Sequence, residues 1–213
     1  LAHIRLVFGL ESLALSDKKE NVFLLATNNA HKVEEFSRIF SKLGLLLVTP
    51  RELGIRCEPK EDGDSFEQNA LIKARAFYDI CKIPTVADDS GLCVDALNGA
   101  PGIYSARYGD MPDDKSRLEL LMKNMEGVLQ RTARFVCAVA CVMSDTDSFT
   151  VTGTVEGKIA NRYAGAGGFG YDPAFVPQGC DKTFGQMSAA EKDALSHRAR
   201  ALEKFSDKIK EKI

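Results

Sequence analysis

Val22-Phe23-Leu24-Leu25-Ala26-Thr27-Asn28-Asn29-Ala30-His31-Lys32 is the stretch that decides the fold. Val22 to Ala26 is an apolar run, Thr27 to Asn29 is a polar break, and beyond it Val33, Phe36, Ile39, Phe40 and Leu43 recur at helical spacing as far as Gly44. Apolar residues three and four apart bury one stripe of a helix, and a glycine just past them supplies the left-handed residue on which helices end. A second apolar run, Leu45 to Val48, follows at once. Strand, polar loop, helix and strand in that order predict a parallel βαβ start, because parallel strands need a crossover connection.

Downstream, Asp64 with Glu67, or Ser65 with Gln68, has capping-box spacing ahead of Phe66, Leu71, Ala74, Phe77, Tyr78 and Cys81, which predicts a helix over about 65–81. Pro84 opens a strand at Thr85 to Ala87 that ends in Asp88-Asp89-Ser90-Gly91, and Leu92 to Leu97 reads as extended again. Asn98 to Asp110 is a loop rich in Gly and turn residues, and Arg117 to Met125 is a helix. Ala133 to Met143 and Phe149 to Ile159 are β-rich runs that predict a long hairpin turned at Ser144 to Ser148. Ser188 and Glu191 repeat the capping-box spacing, and Leu195, Ala199, Leu202, Phe205 and Ile209 make a helical stripe; Ser196 leaves one helix or two open. With no repeat, low-complexity tract or linker, the class is mixed α/β without a clean domain cut.

At 213 residues the chain is long enough for one substantial domain or two lobes sharing a core. Its 28 basic and 30 acidic residues nearly cancel, so neither a nucleic-acid surface nor a membrane patch is expected, and any anionic partner must be met locally. Leu6 to Leu15 contains Gly9 and Glu11 and lacks the flanks of a signal peptide or a membrane span. Six cysteines without a Cys-x-x-Cys pair predict reduced thiols and a cytoplasmic protein. Cys137 and Cys141 invite a metal reading, but even spacing inside the apolar run Phe135 to Met143 puts both on one strand face, as buried core residues.

Gly165-Ala166-Gly167-Gly168-Phe169-Gly170 satisfies the dinucleotide fingerprint G-x-G-x-x-G, which needs a strand before it and a helix after it. Tyr171-Asp172-Pro173 and an extended Ala174 to Val176 follow instead, so the glycines are expected to let backbone approach a ligand or to make a turn.

Four groups of residues can carry chemistry. Thr27, Asn29 and Lys32 lie where a strand ends and a helix begins, a place that suits a phosphate and equally suits an Asn/Thr cap beside a solvated lysine. Lys73 lies within the second predicted helix, where a solvated lysine is ordinary. Asp88 and Asp89 end an apolar strand, where ligands bind in open α/β sheets; paired acids there suit Mg²⁺ and a water awaiting deprotonation, while Asp-Asp-Ser-Gly also has turn composition. Glu61 can reach the same metal from another loop or stand solvated. Finally, Phe169 offers a base-stacking face or a core residue, and Lys192, His197 and Arg198 cluster near the start of the last helix, as ligands or as a solvated face.

In register, ATNNAHKVEE (26–35), NALIKA (69–74), ADDSGLCVDALNGAPGIYSARY (87–108), GGFGYDPAF (167–175) and EKDALSHR (191–198) resemble the inosine triphosphate pyrophosphatase family, the non-standard purine NTP pyrophosphatases. The resemblance runs from about Val22 to Phe205. It implies an elongated two-lobed α/β fold with a mixed sheet, flanking helices and a nucleotide cleft between the lobes, as a homodimer. It carries Thr27, Asn28, Asn29, Ala30, His31, Lys32 and Ser90 onto phosphate binding, and Asp89 onto the catalytic and Mg²⁺ position. Glu61 becomes a second metal ligand, Lys73 a catalytic triphosphate contact, and Phe169, Gly170, Tyr171, Asp172, Lys192, His197 and Arg198 the nucleotide and base contacts. The implied reaction is attack of water on the α-phosphorus of ITP, dITP or XTP with release of pyrophosphate. Backbone N–H groups at His197 and Arg198, or the Arg198 side chain, are expected to meet the purine 6-oxygen.

Asn28 stands where the family often has glycine, and Gln68 where glutamate often precedes the helix asparagine. Leu1 to Glu20 has no counterpart and is set aside as a leader or an added extension, leaving 21–213 as one two-lobed domain. Two other functions compete: a house-cleaning enzyme for pyrimidine or modified nucleotides on a similar fold, and a non-catalytic nucleotide-binding module. The latter has no need of two acids beside a phosphate loop, since carboxylates repel a triphosphate unless a metal lies between them.

Overall fold

Residues 22–212 are described by a computed structural model, and the leader at Leu1 to Glu20 lies outside the described residues. β1 (Val22–Leu25), α1 (Ala30–Lys42) and β2 (Leu46–Val48) form the expected unit, with β1 and β2 parallel in the register Val22↔Leu46. Phe36 and Phe40 on the buried stripe of α1 explain its docking: Phe40 meets Phe23 of β1 edge-on at 5.5 Å and stacks on Phe205 at 5.5 Å. Gly44 ends the turn with φ +71°.

α2 (Phe66–Cys81) starts at Ser65, whose hydroxyl accepts from the Gln68 N–H at 3.2 Å. The return arm of the cap slides by one residue, since the Gln68 side chain accepts from the N–H of Asp64 at 2.7 Å. The next element departs from the sequence expectation. Asp88-Asp89-Ser90-Gly91 is not a turn: β3 (Thr85–Val94) runs straight through it, parallel to β1 at Leu24↔Thr85. Turn composition is a local preference, and here backbone pairing together with lysines on Asp88 overrides it. Extension stops at Val94, and Asp95–Leu97 and Gly102–Asp110 are 3₁₀ segments, the second kinked at Arg107 to Gly109.

α3 (Asp114–Asn124) begins three residues before the expected Arg117, because Asp113 caps it by accepting from the Ser116 N–H at 2.7 Å. β4 (Thr132–Val142) and β5 (Ser148–Ile159) are the predicted hairpin, and β6 (Phe175–Pro177) pairs antiparallel with β5. Ala174 belongs to a 3₁₀ turn, Asp172–Ala174, and not to the strand. Sheet order is β2-β1-β3-β4-β5-β6. α4 (Ala189–Leu195) carries a reciprocal Ser188/Glu191 capping box, and α5 (His197–Lys210) follows. Ser196 makes two helices of the segment: it ends α4 in an extended conformation, and its hydroxyl accepts from the Ala199 N–H at 3.1 Å.

The chain divides into two compact units, one reaching to Asp88 and including Val139–Val151 and the chain from Leu202, the other Asp89–Ala138 and Thr152–Ala201. Each is assembled from separate stretches, which is why no linker betrays them in the sequence. The first unit buries Phe23, Phe36, Phe40, Ala70, Ala74 and Phe205; the second buries Leu92, Leu121, Phe135, Phe175 and Phe184. All six cysteines are free thiols, with Cys137 and Cys141 fully buried, and burial pushes the Cys141 thiol well above its ordinary range. Among the described residues no helix is long and apolar enough to cross a membrane.

Candidate active site

In the first unit, β1 ends beside a short polar loop. Thr27 accepts from the Asn29 N–H at 3.2 Å, and Asn29 accepts from the Lys32 N–H at 3.3 Å, so the Asn29 side chain caps α1. Asn28 and Ala30 are exposed, and His31 lies in the first turn of α1. Lys32 is not solvated. Its ammonium lies 2.9 Å from Oδ2 of Asp88, whose side chain is 1% exposed. Lys73, from α2, donates to the Asp88 carbonyl at 3.1 Å and pairs with Oε1 of Glu61 at 2.9 Å.

Two lysines from two helices therefore converge on one residue of β3, and one of them also holds the acidic loop before α2. Outward-pointing solvated side chains, the ordinary alternative for Lys73 and Glu61, are excluded by this geometry. Asp89 follows Asp88 on the strand, where successive side chains leave by opposite faces. Its Oδ1 accepts from the Ser90 N–H at 3.0 Å, and both Asp89 and Ser90 are half-buried. Among the described residues no group of three or more His, Cys, Asp or Glu is placed to cage a metal. Magnesium does not ask for one: it binds through one or two carboxylates and takes its remaining oxygens from phosphates and water, and Asp89 and Glu61 are each hard donors of that kind.

In the second unit the glycine-rich loop wraps a buried carboxylate. Asp172, 3% exposed, accepts from the Phe169 N–H at 2.8 Å and from the Lys192 ammonium at 2.6 Å. Gly168, with φ +71°, has no room for a side chain, since a Cβ there would fall on the Asp172 carboxylate. Gly170 donates its N–H to Asp114 at 3.0 Å. No helix follows the loop, only the 3₁₀ turn at Asp172, so the dinucleotide fingerprint is coincidental. Phe169 is 37% exposed, with Lys192 4.7 Å and Arg198 5.8 Å from its ring centre. Tyr171 is buried, its hydroxyl donating to the Ser105 carbonyl at 2.8 Å, and burial pushes its phenol upward. The His197 ring stacks on Phe135 at 4.8 Å, inside the core. What remains of His197 for recognition is its main chain, at the start of α5 beside the buried Arg198.

The supporting partners Ser105, Asp114 and Asn69 were not singled out by the sequence. Asn69 alone carried a signal, standing four residues before Lys73 on one helix. A cavity of about 450 Å³ elsewhere in the second unit contains none of the site residues, and its Arg134 pairs with both Asp95 and Glu156.

The fold and sites define a mixed α/β protein with an acid–lysine cluster on a central strand and, on a separate glycine-rich loop, an aromatic ring flanked by cations. The chain is a member of the Ham1 family, whose model matches residues 23–208. It is 42% identical over 190 residues to a dITP/XTP pyrophosphatase of Treponema denticola, covering 87% of this chain and 97% of that protein. It is 43% identical over 186 residues to the Bacillus subtilis protein of the same name, covering 86% and 94%. Among solved structures, the Staphylococcus aureus Ham1 protein superposes with a TM-score of 0.84 at 36% identity, over 90% of this chain and 100% of that one. The Mycobacterium abscessus nucleoside-triphosphatase / dITP/XTP pyrophosphatase gives a TM-score of 0.75 at 43% identity, over 86% and 98%.

Proposed function

We propose that the chain is a Mg²⁺-dependent pyrophosphatase that cleaves ITP, dITP and XTP to the monophosphate and pyrophosphate, as a cytoplasmic homodimer that clears the nucleotide pool. The relatives named as dITP/XTP pyrophosphatases support the substrate class. The observation that carries the chemistry is the convergence of Lys32 and Lys73 on Asp88. Two ammonium groups already brought together are a preorganised seat for phosphoryl oxygens, costing little rearrangement when charge develops.

Asp89, and not Asp88, is the base in this proposal, because the Asp88 carboxylate is committed to Lys32 and almost wholly buried. Asp89 orients a water and takes its proton as that water attacks the α-phosphorus. The bond from the α-phosphorus to the bridging oxygen breaks, and pyrophosphate leaves with both electrons of that bond. Each ammonium keeps its contact with Asp88 and turns a remaining donor toward phosphate oxygens, while Thr27, the loop through His31, and Ser90 contribute hydrogen bonds. Magnesium, held by Asp89 and Glu61 with phosphate oxygens, would neutralise triphosphate charge and polarise the reacting phosphoryl group.

In the second unit Phe169 stacks on the base, and α5 opens with backbone N–H groups of His197 and Arg198 toward the purine 6-oxygen. Lys192 and Arg198 beside the ring are donors only, so the amino groups of adenine and guanine find no acceptor among them. Unpaired buried donors cost enough to give discrimination of up to roughly 10⁴-fold. Pyrophosphate release from a panel of purine and pyrimidine triphosphates, with and without chelator, tests the proposal. Release from ITP and XTP that stops with chelator is expected. Preference for pyrimidines would assign the chain to the related house-cleaning activity, and binding without release would make it a nucleotide-binding module.

A further inference from the structure

Asn69 has no role in the chemistry just described, yet it is a fully buried polar side chain on α2. Its Oδ1 accepts from the Gly63 N–H at 2.9 Å, while its Nδ2 is buried with no hydrogen-bond partner among the described residues. A buried amide with half its capacity unsatisfied is costly, and an apolar residue would avoid that cost. Among the described residues the bond to Gly63 is what Asn69 gives in return, and Gly63 is two residues from Glu61.

Three ties hold the loop 61–64 to α2: Lys73 on Glu61, Asn69 on Gly63 and Gln68 on Asp64. Asn69 and Lys73 are four residues apart and so lie on one helix face. The side chain that fixes the loop's backbone and the one that grips its carboxylate are therefore set by the same helical turn. Packing closes the arrangement, since a Cβ on Gly63 would come within 2.7 Å of the Gln68 Cβ and 3.0 Å of Asn69 Oδ1. Glu61 pairs with Lys73, and the main chain two and three residues further on, at Gly63 and Asp64, is held by side chains of the helix.

We propose that Asn69 is a positioning residue that fixes where the Glu61 carboxylate stands beside Lys73 and Asp88, and through it the concentration of Mg²⁺ at which the protein works. This rests on Glu61 being a metal ligand, as proposed above. Partners that orient a metal-binding carboxylate change affinity by about 10- to 100-fold when removed.

The test uses the full chain and the variants Asn69→Leu, Asn69→Asp, Gln68→Ala and Glu61→Gln. Hydrogen exchange at the Gly63 amide is read without metal or nucleotide, and half-saturating Mg²⁺ is read separately from the nucleotide KM. Asn69→Leu should expose the Gly63 amide and raise half-saturating Mg²⁺ about 10-fold or more, with KM at saturating Mg²⁺ within about threefold. Asn69→Asp keeps the acceptor and should restore most of both. If Asn69→Leu does not fold, Gln68→Ala decides: its side chain is exposed, and releasing Asp64 should raise the Mg²⁺ requirement by a smaller factor. An Asn69→Leu protein, or failing that a Gln68→Ala protein, with unaltered loop exchange or an unmoved Mg²⁺ requirement overturns the inference alone, provided Glu61→Gln does raise that requirement. A Glu61→Gln protein with an unchanged requirement removes the metal role of Glu61 and takes the inference with it.

Discussion

Lys32–Asp88 in the first unit and Lys192–Asp172 in the second are the same pair of residue types at 2.9 and 2.6 Å, each with an aspartate side chain no more than 4% exposed. Their surroundings separate them. Asp88 belongs to a regular strand, and its carbonyl draws in a second lysine from another helix. Asp172 opens a 3₁₀ turn, accepts a backbone N–H from its own loop, and sets its lysine against an aromatic ring. The first pair brings two ammonium groups, each matched by a carboxylate, to one place on a regular strand, which the proposed function assigns to the triphosphate. The second shapes a loop and leaves one aromatic face among donors, which suits a heterocycle. A buried ion pair is weak evidence for stability, because desolvation offsets much of the attraction. What such a pair contributes here is read from its third and fourth partners.

The comparison breaks most sharply at Asp89. Asp89→Asn should lower kcat for ITP by about 10² to 10⁴, the range for a lost general base, with thermal unfolding near that of the parent protein. A kcat within tenfold of the parent would remove the chemistry from this strand. Lys73→Met should cost about 10² to 10³ in kcat/KM, as the loss of one preorganised donor does. Lys192→Met, its counterpart in the second unit, should instead act mainly on the ratios between ITP, XTP and GTP. Equal effects of the two substitutions on both readouts would erase the proposed division of labour.

Phe169→Ala removes a stacking face worth about 1 to 3 kcal/mol, so KM for ITP should rise roughly 5- to 150-fold while kcat stays close to that of the parent protein. An unchanged KM would return Phe169 to a supporting role in its loop. The smallest effect is expected at one cysteine of each unit, the fully buried Cys141 and the half-buried Cys93. Burial pushes the thiols of Cys141 in the first unit and Cys93 in the second upward, so both stay protonated, and the reactive thiolate stays scarce, throughout neutral pH. Labelling of the native protein at pH 7 should be slow at both. Fast labelling at the fully buried Cys141 would show that the first unit opens readily.

Much of the fold is legible because its determinants are short-ranged. The βαβ start needs only the apolar spacing around Phe36 and Phe40 and the stop at Gly44, and the caps at Ser65 and Ser188 sit three residues from their partners. Errors arose where local and distant preferences disagreed. Asp-Asp-Ser-Gly has turn composition but lies inside β3, held there by strand pairing and by lysines that no window around it contains. α3 began early because Asp113, its cap, stands before the apolar residues that announce the helix.

For the site, the sequence alone determined the inventory: acids in consecutive positions, lysines on two helices, an aromatic among glycines, and five segments in an order that marks the family. Only the tertiary structure decided who meets whom. Lys32 and Lys73 converge on Asp88, Lys73 also grips Glu61, and His197, a candidate by composition, places its ring against Phe135. Whether a charged side chain is solvated or buried is a property of the folded surroundings, because the cost of removing it from water and the partner that offsets that cost exist only once distant segments have packed together.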